Sequence, residues 1–121
     1  MSACFLTPLD CTLVDDRDGL WRLDSPLVYF SEICKGKIDV PVGFTTDFAS
    51  VPRLPFIYAL YGDRNRKAAT LHDYLYRNKV FTRAKCDAIF REAMRSDGES
   101  WPVAFAMWLG VRVGGAFSYD N

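Results

Sequence analysis

The chain changes character at Pro52. Ahead of it, residues 3 to about 48 fall into segments rich in β-branched and aromatic residues: CFLTPLDCTLV, LWRLDSPLVYF and KIDVPVGF. Turn-formers separate them at Asp15-Asp16-Arg17-Asp18-Gly19 and Lys35-Gly36-Lys37, so this half reads as strands. Pro52 and Pro55 punctuate a loop, and the pattern then turns helical. One helix is expected from Asp63 to Asn78 with Asp63 as its N-cap. A second runs from Thr82 to Arg95, capped by Thr82 and followed by Gly98. A third runs from Ser100 to Gly114, with Pro102 in its first turn. Strands first and helices after make an α+β domain rather than a parallel α/β one. With no long linker and no repeat, residues 1–121 read as a single domain, with a strand-rich half over 1–50 and a helical half over 60–117.

Charge and residue counts exclude several functions. Lys plus Arg and Asp plus Glu are both 15, so the net charge is zero. A nucleic-acid binder would need a basic excess to neutralise phosphates. The four cysteines, Cys4, Cys11, Cys34 and Cys86, form no C-x-x-C pair, which argues against structural zinc. His72 is the single histidine, which excludes any site built on two imidazoles. The N-terminus has no basic start and apolar core, so no secretory signal is expected and synthesis in the cytoplasm is. The apolar run from Val103 to Gly115 is broken by Arg112 and is too short to span a bilayer.

The segment from Thr70 to Met94, TLHDYLYRNKVFTRAKCDAIFREAM, carries the chemistry. Lys79-Val80-Phe81 is so short a connection that the first two helices must lie antiparallel. At 1.5 Å per residue, His72 and Asp87 stand about 9 Å and about 7.5 Å from the turn, level across the hairpin. His72 shares a stripe with Ala68, Ala69, Leu75 and Tyr76; Asp87 shares one with Ala84, Phe90 and Met94. A carboxylate in such a seam costs several kcal/mol unless it is paired. His72 is the nearest partner, with Tyr76 one turn on. A carboxylate on one imidazole nitrogen fixes the tautomer and frees the other to accept a proton, which makes a general-base dyad. Asp73 is rotated by about 100° from His72 and faces a flank, where it can offer oxygens to a hard cation. The same residues can equally form a buried polar network that only fixes the fold.

His72, Asp73 and Tyr76 in H-D-x-x-Y, followed by Cys86, Asp87 and Phe90 in C-D-x-x-F, resemble the secreted phospholipase A2 superfamily, closest to its bacterial, fungal and parvoviral members. The likeness covers about 25 residues. It implies a calcium-dependent lipase in which His72 activates water, Asp87 orients His72, Asp73 binds calcium and Tyr76 braces Asp87. The glycine-rich calcium loop of that superfamily has no counterpart, since only Gly62 lies between Phe44 and His72. A second likeness is longer. VPVGFTTDFASVP, AATLHDYLY and CDAIFREAM are similar to a family of tailed phages and prophages, the domain of unknown function 1353 family. That resemblance spans most of residues 20 to 115 and implies a phage or prophage origin, with synthesis in the host cytoplasm.

TTDFASVP puts polar groups in an apolar neighbourhood. Asp47 and Ser50 form either an Asx-type or capping turn, or a substitute calcium loop in which Asp47 adds a carboxylate opposite Asp73. The third helix, with Trp101, Phe105, Trp108 and Leu109 on one stripe, is expected in the core; left exposed, that stripe would seat on a membrane or a partner subunit. These features lead to one expected function, calcium-dependent phospholipid ester hydrolysis serving lysis or entry. The alternative is a non-enzymatic phage virion or tail component, or a modulator of a host protein, with His72, Asp87 and Asp47 a structural network. The expected partners are accordingly a phospholipid membrane or a phage or host protein.

Overall fold

A computed structural model describes residues 2–15, 19–46 and 65–114 of the chain. Antiparallel strands come first and helices follow, so the α+β class holds. The first two strand-like segments each break into two strands, giving β1 (Cys4–Phe5), β2 (Cys11–Asp15), β3 (Leu20–Leu23) and β4 (Leu27–Ser31); the third gives β5 (Gly36–Val40), with β6 (Thr45–Thr46) just after it. They form two three-stranded sheets, ordered β1-β4-β5 and β2-β3-β6. Pro8 falls between β1 and β2, and Pro26 between β3 and β4. Proline has no N–H for a ladder, so each one ends a run that composition alone would continue.

The β4–β5 hairpin shows why one sheet faces the helices. Its register pairs Leu27 with Val40 and Tyr29 with Ile38. Those four residues share one face and are buried, whereas Lys37 and Asp39 on the other face are exposed. The turn from Ser31 to Gly36 carries Lys35 at φ 58°, and the Ser31 hydroxyl accepts the Ile33 and Cys34 amides at 3.1 and 3.3 Å.

The helices are α1 (Arg66–Arg77), α2 (Arg83–Ser96) and α3 (Trp101–Gly114). The start of α1 differs from the expectation: the N-cap is Asn65, in a left-handed conformation at φ 63°. Asp63 lies outside the described residues. Asn65 makes no capping bond; its amide instead donates to Glu99 Oε1 at 2.8 Å, tying the head of α1 to the α2–α3 turn. Thr82 does cap α2, accepting the Lys85 amide at 3.3 Å. Gly98 at φ 97° turns the chain out of α2, a conformation that glycine adopts without strain.

The helix α2 is the centre of the packing. It lies against α1, α3, β1 and β4. Cys86, Ile89, Phe90, Ala93 and Met94 are inaccessible on it. Ala84, expected in its buried stripe, is exposed instead. A part-buried polar tie joins α2 to the sheet. The Glu92 carboxylate accepts the Tyr29 hydroxyl at 2.7 Å and the Ser31 hydroxyl at 2.8 Å on Oε1, and the Ile33 amide at 3.2 Å on Oε2. Burial and this carboxylate push the Tyr29 phenol up, which keeps it a donor.

The expectation that α3 is all core is corrected. Ala104, Met107, Gly110 and Val111 are buried, but Trp101, Phe105 and Leu109 are exposed. The small residues let α3 approach α2 closely, and the aromatic stripe turns outward.

The Glu92 tie gives a test of the frame. Glu92→Ala removes the acceptor of the Tyr29 and Ser31 hydroxyls, and we expect a loss of about 2 kcal/mol. Urea unfolding should show a lower midpoint with an unchanged slope. A midpoint within error of wild type would mean that the tie contributes nothing.

Candidate functional site

Antiparallel pairing of α1 and α2 brings His72 and Asp87 together. His72 Nε2 lies 2.8 Å from Asp87 Oδ1, and both side chains are fully buried. Tyr76, one turn beyond His72, donates its hydroxyl to the same Oδ1. The imidazole lies between two rings, 4.1 Å from Tyr76 and 4.6 Å from Phe90 between centroids. Thus His72, Tyr76 and Asp87, which the sequence singles out, meet in one cluster.

Arg112 completes the cluster from α3, and it was not anticipated. Its guanidinium donates to Asp87 Oδ2 at 2.9 Å. In the sequence it stands only as an interruption of an apolar run. The legible signal was there all the same, because a lone charge in an apolar helix needs a partner. Arg83 supports the same end of α3, donating to the Arg112 carbonyl and, at 3.5 Å, to that of Val111.

Electrostatics follow from these partners. Burial pushes the Asp87 carboxyl up, but bonds from His72 and Tyr76, with Arg112 behind them, outweigh it and leave its pKa below the usual value. Burial and the bond to Asp87 push the Tyr76 phenol up, so it remains a donor. For His72, burial dominates over the pull of Asp87 and Asp73 and holds its pKa below 6.5. The neutral imidazole therefore donates Nε2–H to the carboxylate and keeps its lone pair on Nδ1. That Nδ1 is buried and has no hydrogen-bond partner among the described residues.

Asp73 stands apart on the flank of α1. Arg77 occupies both its oxygens, Nε to Oδ1 at 3.0 Å and Nη2 to Oδ2 at 2.8 Å. Arg77 also donates to the Thr45 carbonyl and lies 4.3 Å from the Phe44 ring. Among the described residues no three His, Cys, Asp or Glu side chains gather as a metal would require. Asp47 and Ser50, the other half of the calcium expectation, lie outside the described residues. The described donors therefore do not fit a calcium ion, because one carboxylate already engaged by a guanidinium falls far short of six oxygens.

A family model described as Protein of unknown function (DUF1353) matches residues 21–111, which takes in most of the chain from β3 to α3 and, of the cluster, His72, Tyr76 and Asp87, with Arg112 one residue beyond it. No curated protein and no solved structure matches the chain.

Two outcomes are expected of this cluster. Tyr76→Phe should cost about 1–2 kcal/mol, and Asp87→Ala about 3–5 kcal/mol, because it leaves Arg112 and His72 without their anion. Equal, small losses in urea melts would refute the clamp. The pH dependence has a definite sign. His72 is neutral in the fold, whereas the unfolded chain binds a proton below pH 6.5. Stability should therefore be full above pH 6.5 and decline as pH falls below it. In His72→Gln that decline should disappear, leaving only the one at lower pH from the depressed Asp87. An undiminished slope in His72→Gln would show that other groups carry it.

Proposed function

This chain belongs to the family described as Protein of unknown function (DUF1353), and we propose that His72 is the general base of an esterase in it, with phospholipid as substrate. The observation that carries this reading is the open Nδ1. A buried nitrogen without a partner costs about 1–3 kcal/mol. A purely structural network has no use for that cost, whereas a base needs that atom free. Among the described residues the imidazole has one unpaired polar atom, and it is the one carrying the lone pair.

The chemistry is that of a held imidazole. A water at Nδ1 gives up its proton as its oxygen attacks the ester carbonyl. The imidazolium that forms is stabilised by Asp87, which Arg112 and Tyr76 keep ionised and in place. The proton then passes to the leaving alkoxide, and the imidazole returns to its neutral form. Products are a carboxylic acid and an alcohol, and no oxidant or reductant is consumed. The phospholipid assignment rests on the sequence likeness, and a phage setting would give such an activity a role in breaching host membranes.

The full burial of His72 favours a second reading. Here the cluster only locks three helices together in a virion component or a host-protein modulator.

Fatty-acid release from phospholipid vesicles separates the two, measured with millimolar calcium and with chelator. For the esterase, His72→Gln should lose roughly 10²–10⁴-fold of rate while the fold survives. The acid limb of the wild-type pH profile should lie below pH 6.5, the ordinary imidazole value. Activity that needs calcium and is lost in Asp73→Asn would assign the cation to that flank. Wild-type protein releasing no fatty acid under either condition would reject the esterase and leave the structural lock.

A further inference from the structure

We propose that the outward face of α3 docks on an anionic lipid surface. Trp101, Phe105, Leu109 and Val113 recur every four residues along it, with 63%, 39%, 47% and 78% of their surface exposed. Trp101 stacks on Phe105 at 5.5 Å between centroids, and Phe105 contacts Trp108 at 5.8 Å. The rings thus form one continuous strip rather than scattered exposed residues. The helix contains no Asp or Glu.

Charge beside the strip decides the occupant. Arg91 lies over the Trp108 ring at 4.8 Å, and Arg95 lies one turn further along α2. Both arginines are exposed. Glu92 between them turns its carboxylate away, toward Tyr29, Ser31 and the Ile33 amide. A chain of zero net charge therefore presents a locally cationic edge to its exposed aromatic strip. A cleft of about 440 Å³ opens between Ile33, Arg91, Arg95 and Trp101; Glu92 lines it too, with its carboxylate engaged by Tyr29, Ser31 and the Ile33 amide.

A second copy of the chain fits this surface poorly. Pairing the face with itself about a twofold axis would bring two copies of the same arginine edge into one interface, and α3 has no Asp or Glu to offset them. A lipid surface instead offers anions at the depth of the arginines and hydrocarbon at the depth of the rings. At 1.5 Å per residue a 14-residue helix is about 21 Å long, too short to cross a bilayer core of about 30 Å, so it lies in the interface plane. The choice of a lipid partner draws on the esterase reading, since that is where its substrate would be. The docking surface itself is independent of catalysis.

The test is co-sedimentation of the full chain with sucrose-loaded vesicles. One set is phosphatidylcholine alone, and the other is an equimolar mixture with phosphatidylglycerol. Ether-linked lipids keep hydrolysis out of the measurement. Wild type should pellet preferentially with the anionic set. Trp101→Ser with Phe105→Ser, both on the exposed face, should weaken that binding about tenfold or more. Arg91→Gln with Arg95→Gln should abolish the preference for anionic vesicles. Wild type that stays in the supernatant, or serine variants that pellet as well as wild type, would overturn the proposal. So would a dimer by light scattering that the serine pair dissociates, because the face would then belong to a second copy. Hydrolysis of a soluble short-chain ester is scored separately. Pelleting without hydrolysis upholds docking and removes the esterase; hydrolysis without pelleting removes docking and upholds the esterase.

Discussion

The buried carboxylate of Asp87 sets the terms for the helical half. An isolated carboxylate at that depth would cost several kcal/mol, so each neighbour must supply a donor at a fixed place. His72 and Tyr76 do so from α1 and Arg112 from α3. One residue of α2 therefore fixes the height of α1, through two donors spaced one turn apart, and the position of α3. The apolar seam supplies the attraction, and the carboxylate specifies which of several similar seams forms.

A second carboxylate on the same helix makes an instructive contrast. Glu92 lies five residues beyond Asp87 and so points to a different side of α2, where it gathers Tyr29, Ser31 and the Ile33 amide from the sheet. Its partners are two hydroxyls and a backbone amide, none of which is basic enough to take up a proton near neutral pH. The Asp87 cluster has the same architecture but includes an imidazole, whose Nδ1 is buried and without a hydrogen-bond partner among the described residues. The two networks do the same structural work. The difference between them is the chemical one on which the esterase reading turns.

Much of this was legible in the residues. Thr82 and Gly98 mark the ends of α2 because capping and left-handed turns have local causes. His72 and Asp87 could be matched because a short connection and a fixed rise leave little freedom in the register of two helices. The strand-like half was harder. Composition identifies strands, but the breaks at Pro8 and Pro26 and the division into two sheets depend on long-range pairing. Asn65 carries no local capping signal, because its amide serves a distant glutamate instead of its own helix. Arg112 was overlooked because its partner is 25 residues away in sequence.

The outward strip of α3 has its explanation in the same arginine. Trp101, Phe105, Trp108 and Arg112 fall at i, i+4, i+7 and i+11, so they occupy one face of the helix. Rolling α3 to bury the rings would carry Arg112 inward with them and take its guanidinium wholly out of water, at a cost of several kcal/mol. At the observed roll, the side chain of Arg112 keeps 32% of its surface exposed and still reaches Asp87. Ala104, Met107, Gly110 and Val111 fill the core side, where small side chains allow the close approach to α2. Counting apolar residues makes this helix look like core; one charge on the aromatic stripe decides which side must face water. The same residue thus anchors the buried cluster and keeps the aromatic strip at the surface, which ties the candidate site and the candidate docking face to a single helix.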